Sequence, residues 1–214
     1  EDSENPSTIQ YVEQVSKPFA RDHGLELIEL RKQRRVGGTE TLLQMMRRAK
    51  RSVPIPVRMD NGAPGNRHCT FEFKIRVVAK WLREEYGATP KEPATVGLGI
   101  SWDEVQRMRK ESGIAYELLE YPLIKHRITR ARCLEIIREA GLPPPPRSAC
   151  FFCPFHRPDM WSRMRRDEPE LFQKSVELER ALNERRRTLN RDEVFLTRFG
   201  KPLDEVIEAR QTDL

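Results

Sequence analysis

The run Thr95-Val96-Gly97-Leu98-Gly99-Ile100-Ser101 restricts the fold more than any other segment. It is short, apolar and ends in a glycine-bearing turn, which reads as a buried strand feeding a helix that begins near Asp103 and runs toward Lys110. Comparable alternations surround it. Ile9, Val12, Val15 and Phe19 recur at helical spacing over residues 6–22, and after Gly24 the stretch Leu25-Glu26-Leu27-Ile28-Glu29-Leu30 alternates like a half-buried strand. A loop-rich segment, 53–67, carries three prolines and two glycines, with a short helix expected before it. Over residues 70–86, Phe71, Ile75, Val78 and Leu82 share one helical face, and Gly87 is placed to end that helix. Residues 116–124 form another strand candidate, broken by Pro122. Thr129 is placed to cap a helix reaching Ala140, which Gly141 and four prolines terminate.

Strands alternating with helices predict an α/β fold, an open and mainly parallel sheet with helices on both faces. The last third reads as charged helix from Pro158 to about Leu189, then a short Val194-Phe195-Leu196 segment and a final helix after Pro202. The expected organisation is a sheet domain over residues 1–141, with a helical C-terminal extension over 142–214 packed on it. Ligands of open α/β sheets bind outside the carboxyl ends of the strands. The loop after Ile100 and the segment around Cys69 are therefore candidate walls of a site.

Of the 214 residues, 37% are hydrophobic and 34% charged, so the core must be economical and the surface heavily solvated. No apolar run approaches the ~18 residues of a membrane helix, and the start lacks the basic, apolar and small-residue pattern of a signal peptide. A cytoplasmic protein is expected. The net charge of +6 favours anionic partners such as nucleotides, phosphates or nucleic acid. Much of the excess sits in the runs 31–35, 47–51 and 185–187, and such runs are more often solvated faces than binding surfaces.

All four cysteines are informative. Cys150-Phe151-Phe152-Cys153 is a C-x-x-C, a spacing that lets two thiolates converge on one metal, and Pro154 follows directly. Phe151, Phe152 and Phe155 can exclude water from it. Cys69 precedes a predicted helix and Cys133 lies early in another, where helical N–H groups stabilise a thiolate. Four ligands from three segments would fasten the C-terminal part onto the sheet. Spacing alone leaves a cluster, a structural zinc and no metal all open, and a cysteine such as Cys133 is by itself more often a small buried apolar residue than a ligand.

Five ordered segments resemble the phosphoadenosine-phosphosulfate (PAPS) reductase-like family. They are Asn66-Arg67-His68-Cys69-Thr70 with Lys74-Ile75-Arg76, Gly99-Ile100-Ser101-Trp102-Asp103-Glu104 with Arg107-Met108, Tyr121-Pro122-Leu123, Thr129-Arg130-Ala131-Arg132-Cys133, and the stretch from Arg147 through the C-x-x-C to His156. Trp161 and Pro202-Leu203-Asp204-Glu205 also fit, so the resemblance runs over nearly the whole chain. It implies a domain of the adenine nucleotide alpha-hydrolase type (the PP-loop ATPase-like fold), an adenine nucleotide with Mg²⁺, and a [4Fe-4S] cluster on Cys69, Cys133, Cys150 and Cys153. Relatives of that kind include sulfonucleotide reductases and ATP-pyrophosphatases that insert sulfur into tRNA or DNA.

Two departures shape what the resemblance implies. The Ser-Gly-Gly-x-Asp-Ser phosphate loop that opens such domains has no counterpart, since Arg35-Val36-Gly37-Gly38-Thr39 lacks the serine and aspartate. The chain starts at Glu1 rather than Met, and Glu1-Asp2-Ser3-Glu4-Asn5-Pro6 resembles the acidic loop after the family's second strand. A fragment lacking its first βα unit is expected, one that does not itself grip a triphosphate. In addition, no cysteine follows Cys153 to act as the nucleophile of a true reductase, and Cys69-Thr70 stands where such reductases carry a Cys-Cys pair. Nucleotide activation or sulfur transfer is therefore expected over reduction of sulfate esters.

In that chemistry catalysis is mainly positioning and charge neutralisation. Arg67, Lys74 and Arg76 are candidates to meet phosphate or sulfate oxygens, with Arg107 and Arg130 as further anion ligands and Ser101 at the strand end. Asp103 and Glu104 are candidates for Mg²⁺ or a ribose hydroxyl, although Asp103 equally suits a helix cap and Glu104 a solvated face. His156 is a candidate donor beside the metal ligands. The rival expectations are a zinc-stapled nucleic-acid-binding module without enzymatic activity, and a degenerate partner subunit.

Overall fold

The structure is a computed structural model and describes residues 2–49 and 52–209. Glu1 of the acidic opening and Lys50 and Arg51 of the second basic run lie outside the described residues. The described elements are mostly helical: α1 (Pro6–Tyr11), a π-helical turn (Val12–Ser16), α2 (Lys17–Asp22), α3 (Leu42–Arg48), α4 (His68–Thr70), a second π-helical turn (Phe71–Ile75) and α5 (Arg76–Glu84). Strand β1 (Ala94–Gly97), a 3₁₀ helix (Trp102–Arg107), β2 (Glu117–Glu120), α6 (Pro122–Lys125), α7 (Arg130–Glu139), α8 (Pro158–Asp167), α9 (Pro169–Thr188) and α10 (Leu203–Ala209) follow.

The chain divides into two compact units. One comprises Glu1–Ile9, Arg31–Lys74 and Arg147–Leu214, and the other Gln10–Leu30 and Ile75–Pro146. Each unit draws on segments distant in sequence, where the division drawn above was a single cut at 141/142.

In the first unit the core gathers Met46, Ile55, Phe152, Trp161, Val176, Leu196, Leu203 and Ile207, all nearly or fully buried. Its backbone logic is unusual. The segment after α9 has one antiparallel bridge, Phe195 with Arg58, so its other polar groups need side-chain partners. Helix α9 supplies them from its buried face. Asn183 donates to the Val194 carbonyl and accepts its N–H, both at 2.8 Å, while the Glu179 carboxylate accepts the N–H groups of Leu196 (2.5 Å) and Leu203 (2.7 Å). Thr41 starts α3 with a capping box, its hydroxyl accepting from Gln44 N–H and the Gln44 side chain accepting from Thr41 N–H.

Two glycines let the loop 58–65 run against the segment 197–200. Gly62 has φ +76°, and a Cβ there would stand 2.6 Å from the Arg198 carbonyl oxygen; Gly200 has φ +63° and would clash with the Asp60 carbonyl. Both the left-handed backbone and the close approach require glycine. Gly62→Ala is expected to destabilise the protein by about 2 kcal/mol, read as a lower urea midpoint with unchanged slope.

In the second unit β1 and β2 pair in parallel, Ala94 opposite Glu117 through Gly97 opposite Glu120. The fold is thus mixed helix and strand, and this pair is the only named sheet among the described residues. The small core joins Leu82, Ala88 and Ala94. Residues 25–30, expected as a strand, are irregular and exposed, with Leu25, Leu27 and Ile28 facing solvent. Their alternation is genuine, but a strand exists only through a hydrogen-bonded neighbour, and none of the described strands pairs with them. Both helical caps read from sequence hold here. Thr129 Oγ1 accepts from Arg132 N–H at the start of α7, and Gly141 turns the chain beyond its end with φ +72°. No helix among the described residues is long and apolar enough to cross a membrane.

Candidate functional site

The first unit brings three of the four cysteines into one electrostatic neighbourhood. Cys69 sits in α4, where its N–H donates to the Pro54 carbonyl at 2.7 Å and fixes the end of the proline-rich loop. Cys150 is held by the N-terminal segment. Glu4 forms an antiparallel bridge with it, Asn5 N–H donates to the Ala149 carbonyl (3.2 Å), and Phe151 N–H donates to Ser3 (3.1 Å). A tight turn then returns Cys153, whose N–H donates to the Cys150 carbonyl at 3.0 Å. Phe151 and Phe152 are buried behind the turn, edge to face at 4.8 Å, and Cys69 and Cys150 pack against the same core.

Burial pushes the Cys150 thiol up to about 12, and the charges of Glu4, Cys153 and Cys69 add to the effect while Lys74 opposes it. Burial also raises Cys153, with the neighbouring Cys69 adding to it; the Phe155 backbone, Arg67 and Arg147 oppose the rise. The apo protein therefore keeps these thiols protonated at neutral pH, and a metal would have to displace their protons. The donor set fits a soft, thiolate-seeking centre in a water-poor shell. No group of three or more Cys, His, Asp or Glu among the described residues stands in metal-holding geometry.

His156 lies beside this turn. Its Nε2 is 2.9 Å from the Cys150 carbonyl oxygen, its ring meets Trp161 edge to face at 4.8 Å, and burial lowers its pKa. It bonds the backbone of the C-x-x-C turn, fixing the turn's shape. Arg67 stands just before α4, makes no capping hydrogen bond with its side chain, and its guanidinium lies 5.1 Å from the Phe155 ring centre. Arg67 and Lys74 thus belong with the cysteines.

Cys133, Arg76, Ser101, Asp103, Glu104, Arg107 and Arg130 belong to the second unit. Here the carboxyl end of β1 runs through a tight turn to the buried Ser101 and the 3₁₀ helix. Asp103 Oδ1 accepts the Arg130 N–H at 2.9 Å, and that bond holds its carboxyl below the usual range. The side chain therefore caps α7, a helix distant in sequence from its own. Glu104 pairs with Arg107 at 2.7 Å on an exposed face, the bland alternative raised above. Cys133 occupies the first turn of α7, its N–H donating to the Thr129 carbonyl at 2.9 Å.

Sequence reasoning missed the cleft that adjoins the C-x-x-C turn. It has a volume of about 490 Å³ and is lined by Arg58, Phe155, Trp161, Arg198 and Phe199, among others. Its walls come from four segments spread between Arg58 and Ile207, so no local pattern announces it. The basic run 185–187, by contrast, is largely structural. Arg185 donates to the Met46 (2.9 Å) and Arg47 carbonyls, Arg186 to the Asp192 carbonyl, and Arg187 pairs with Glu193 at 2.6 Å.

Compared with family models, curated proteins and solved structures, the chain matches none of them.

Proposed function

We propose that this chain is a PAPS reductase-like protein of the adenine nucleotide alpha-hydrolase type, carrying an iron–sulfur cluster and a nucleotide-binding sheet. The observation that carries the reading is that Cys69, Cys150 and Cys153, from segments 81 positions apart, are half-buried in one compact unit, Cys69 and Cys150 packing against the same core. A shared inorganic centre is the simplest reason for three thiols so far apart in the chain to lie against one core. Cys133 is carried as the fourth ligand by the motif resemblance alone. When bound, the cluster supplies a one-electron centre and a staple between chain segments. The chain's own residues supply the shell: Phe151 and Phe152 exclude water, and His156 holds the turn.

The parallel β1–β2 pair supports the nucleotide half of the reading. Its carboxyl end is where an open α/β sheet binds ligands, and Ser101, Arg107 and Arg130 lie on the segments that follow it. In the proposed fold this pair is part of a larger open sheet with helices on both faces. The chemistry proposed is ATP-pyrophosphatase or sulfur transfer, because Cys69-Thr70 stands where sulfonucleotide reductases carry a Cys-Cys pair.

Anaerobic purification tests the cluster. The protein is expected to be brown with broad absorption near ~400 nm, as thiolate-bound iron–sulfur centres are. A colourless protein with stoichiometric zinc would replace this reading with the zinc-stapled module.

A further inference from the structure

The cleft beside the C-x-x-C turn lies outside both halves of the proposed function. Two features of its lining point to a ligand. Phe155 and Phe199 remain 38% and 37% exposed although they border a packed core, and each carries an arginine on its face. Arg58 lies 5.4 Å from the Phe155 ring centre and Arg198 5.5 Å from that of Phe199. Such guanidinium–aromatic pairs offer a flat stacking surface and a cation at the same place. The second feature is unmet hydrogen bonding. Trp161 is 1% exposed, lines the cleft, and its Nε1–H has no acceptor; the buried Arg58 Nε also lacks one. Buried donors are nearly always paired, and both of these unpaired ones belong to residues of one wall.

The charge balance narrows the class. Asp159 is the acidic residue of the lining and is paired with Arg157 at 2.9 Å, which leaves the Arg58 and Arg198 charges uncompensated by carboxylates of the wall. The volume is within the range that encloses a small ligand, about 300–1,000 Å³. We infer that this cleft binds a nucleotide unit, with its base stacked on Phe155 or Phe199 and its phosphate held by Arg58 and Arg198. The unit is either a free mononucleotide or one residue of a single strand; the chemistry is shared.

The test measures fluorescence anisotropy of a labelled single-stranded octanucleotide and, separately, of labelled AMP with the full chain, using unlabelled AMP as competitor. Arg198→Ala and Phe199→Ala, both exposed side chains, are each expected to weaken binding about tenfold. Arg191→Ala removes one exposed charge elsewhere in the same unit and is expected to leave binding unchanged. Competition by AMP assigns the cleft to mononucleotides, and binding without such competition assigns it to a strand; either supports the inference. Three results overturn it: no binding of either probe, an equal loss in Arg191→Ala, or binding lost in Arg107→Ala while Arg198→Ala retains it. The last result would place the nucleotide in the second unit. None of these readouts depends on a cluster, so absence of iron would leave the inference standing.

Discussion

Trp161→Ala is expected to cost about 3–5 kcal/mol, the range for deleting a large aromatic from a packed core. The side chain is 1% exposed, meets the His156 ring at 4.8 Å and the Phe172 ring at 6.5 Å, and belongs to the core on which Cys69 and Cys150 pack. Urea unfolding followed by far-ultraviolet circular dichroism would read the loss as a fall in midpoint. Trp161→Phe separates packing from hydrogen bonding. It keeps most of the volume and removes the orphaned Nε1–H, so its effect on stability is expected to be much smaller than that of alanine. A phenylalanine variant as unstable as the alanine one would show that the indole N–H has a partner within the protein.

Glu179 is the second site of large effect. It is 2% exposed, and burial pushes its carboxyl up to about 7, against the two backbone N–H bonds from Leu196 and Leu203 that favour the charged form. An unfolded glutamate titrates near its ordinary 4.5. Because the folded value is the higher, the stabilising contribution of the protonated group is fully present below about 4.5 and is lost as pH rises through about 7. At 1.36 kcal/mol per unit the change across that window is roughly 3 kcal/mol. Glu179→Gln is expected to flatten this part of the stability–pH profile. Glu179→Ala is expected to destabilise at every pH, since two buried N–H groups then lose their acceptor. A wild-type profile flat between pH 4.5 and 7 would contradict the assignment.

These two residues mark what the sequence makes legible and what it hides. Trp161 was visible as part of a family-like segment. Glu179 was also within reach: it stands on the same stripe of α9 as Phe172, Ser175, Val176, Leu182 and Asn183, all buried. Three polar residues interrupt that stripe, which is why the helix reads as a charged surface helix and the position of the main core escapes notice. Local signals carried well where the physics is local. The Ile9–Phe19 spacing, the Thr129 cap and Gly141 all correspond to helical structure or its end. The alternation over 25–30 did not, because pairing depends on a partner that local pattern cannot supply. The helix expected over 158–189 is two helices, α8 and α9, since Pro169 favours the first turn of a new helix and Glu168 before it leaves the helical region.

The candidate site divides along the same line. The C-x-x-C and its phenylalanines are adjacent in sequence, and their grouping was readable. That Cys69 joins them follows from the Glu4–Cys150 bridge and the Pro54 contact, neither of which leaves a local trace. Asp103 illustrates the opposite hazard. A carboxylate past a strand end suggests a metal or ribose ligand, but its oxygen meets the Arg130 N–H.

The central claim is that Cys69, Cys150 and Cys153 share one iron–sulfur centre. Iron and acid-labile sulfide, quantified per chain after anaerobic purification of the wild type and of Cys153→Ser, test it most directly. Equal amounts of iron and sulfide in the wild type, lost together in the variant while its circular dichroism remains folded, are the predicted result. Iron retained undiminished in Cys153→Ser, or a wild type that holds neither element, would contradict it.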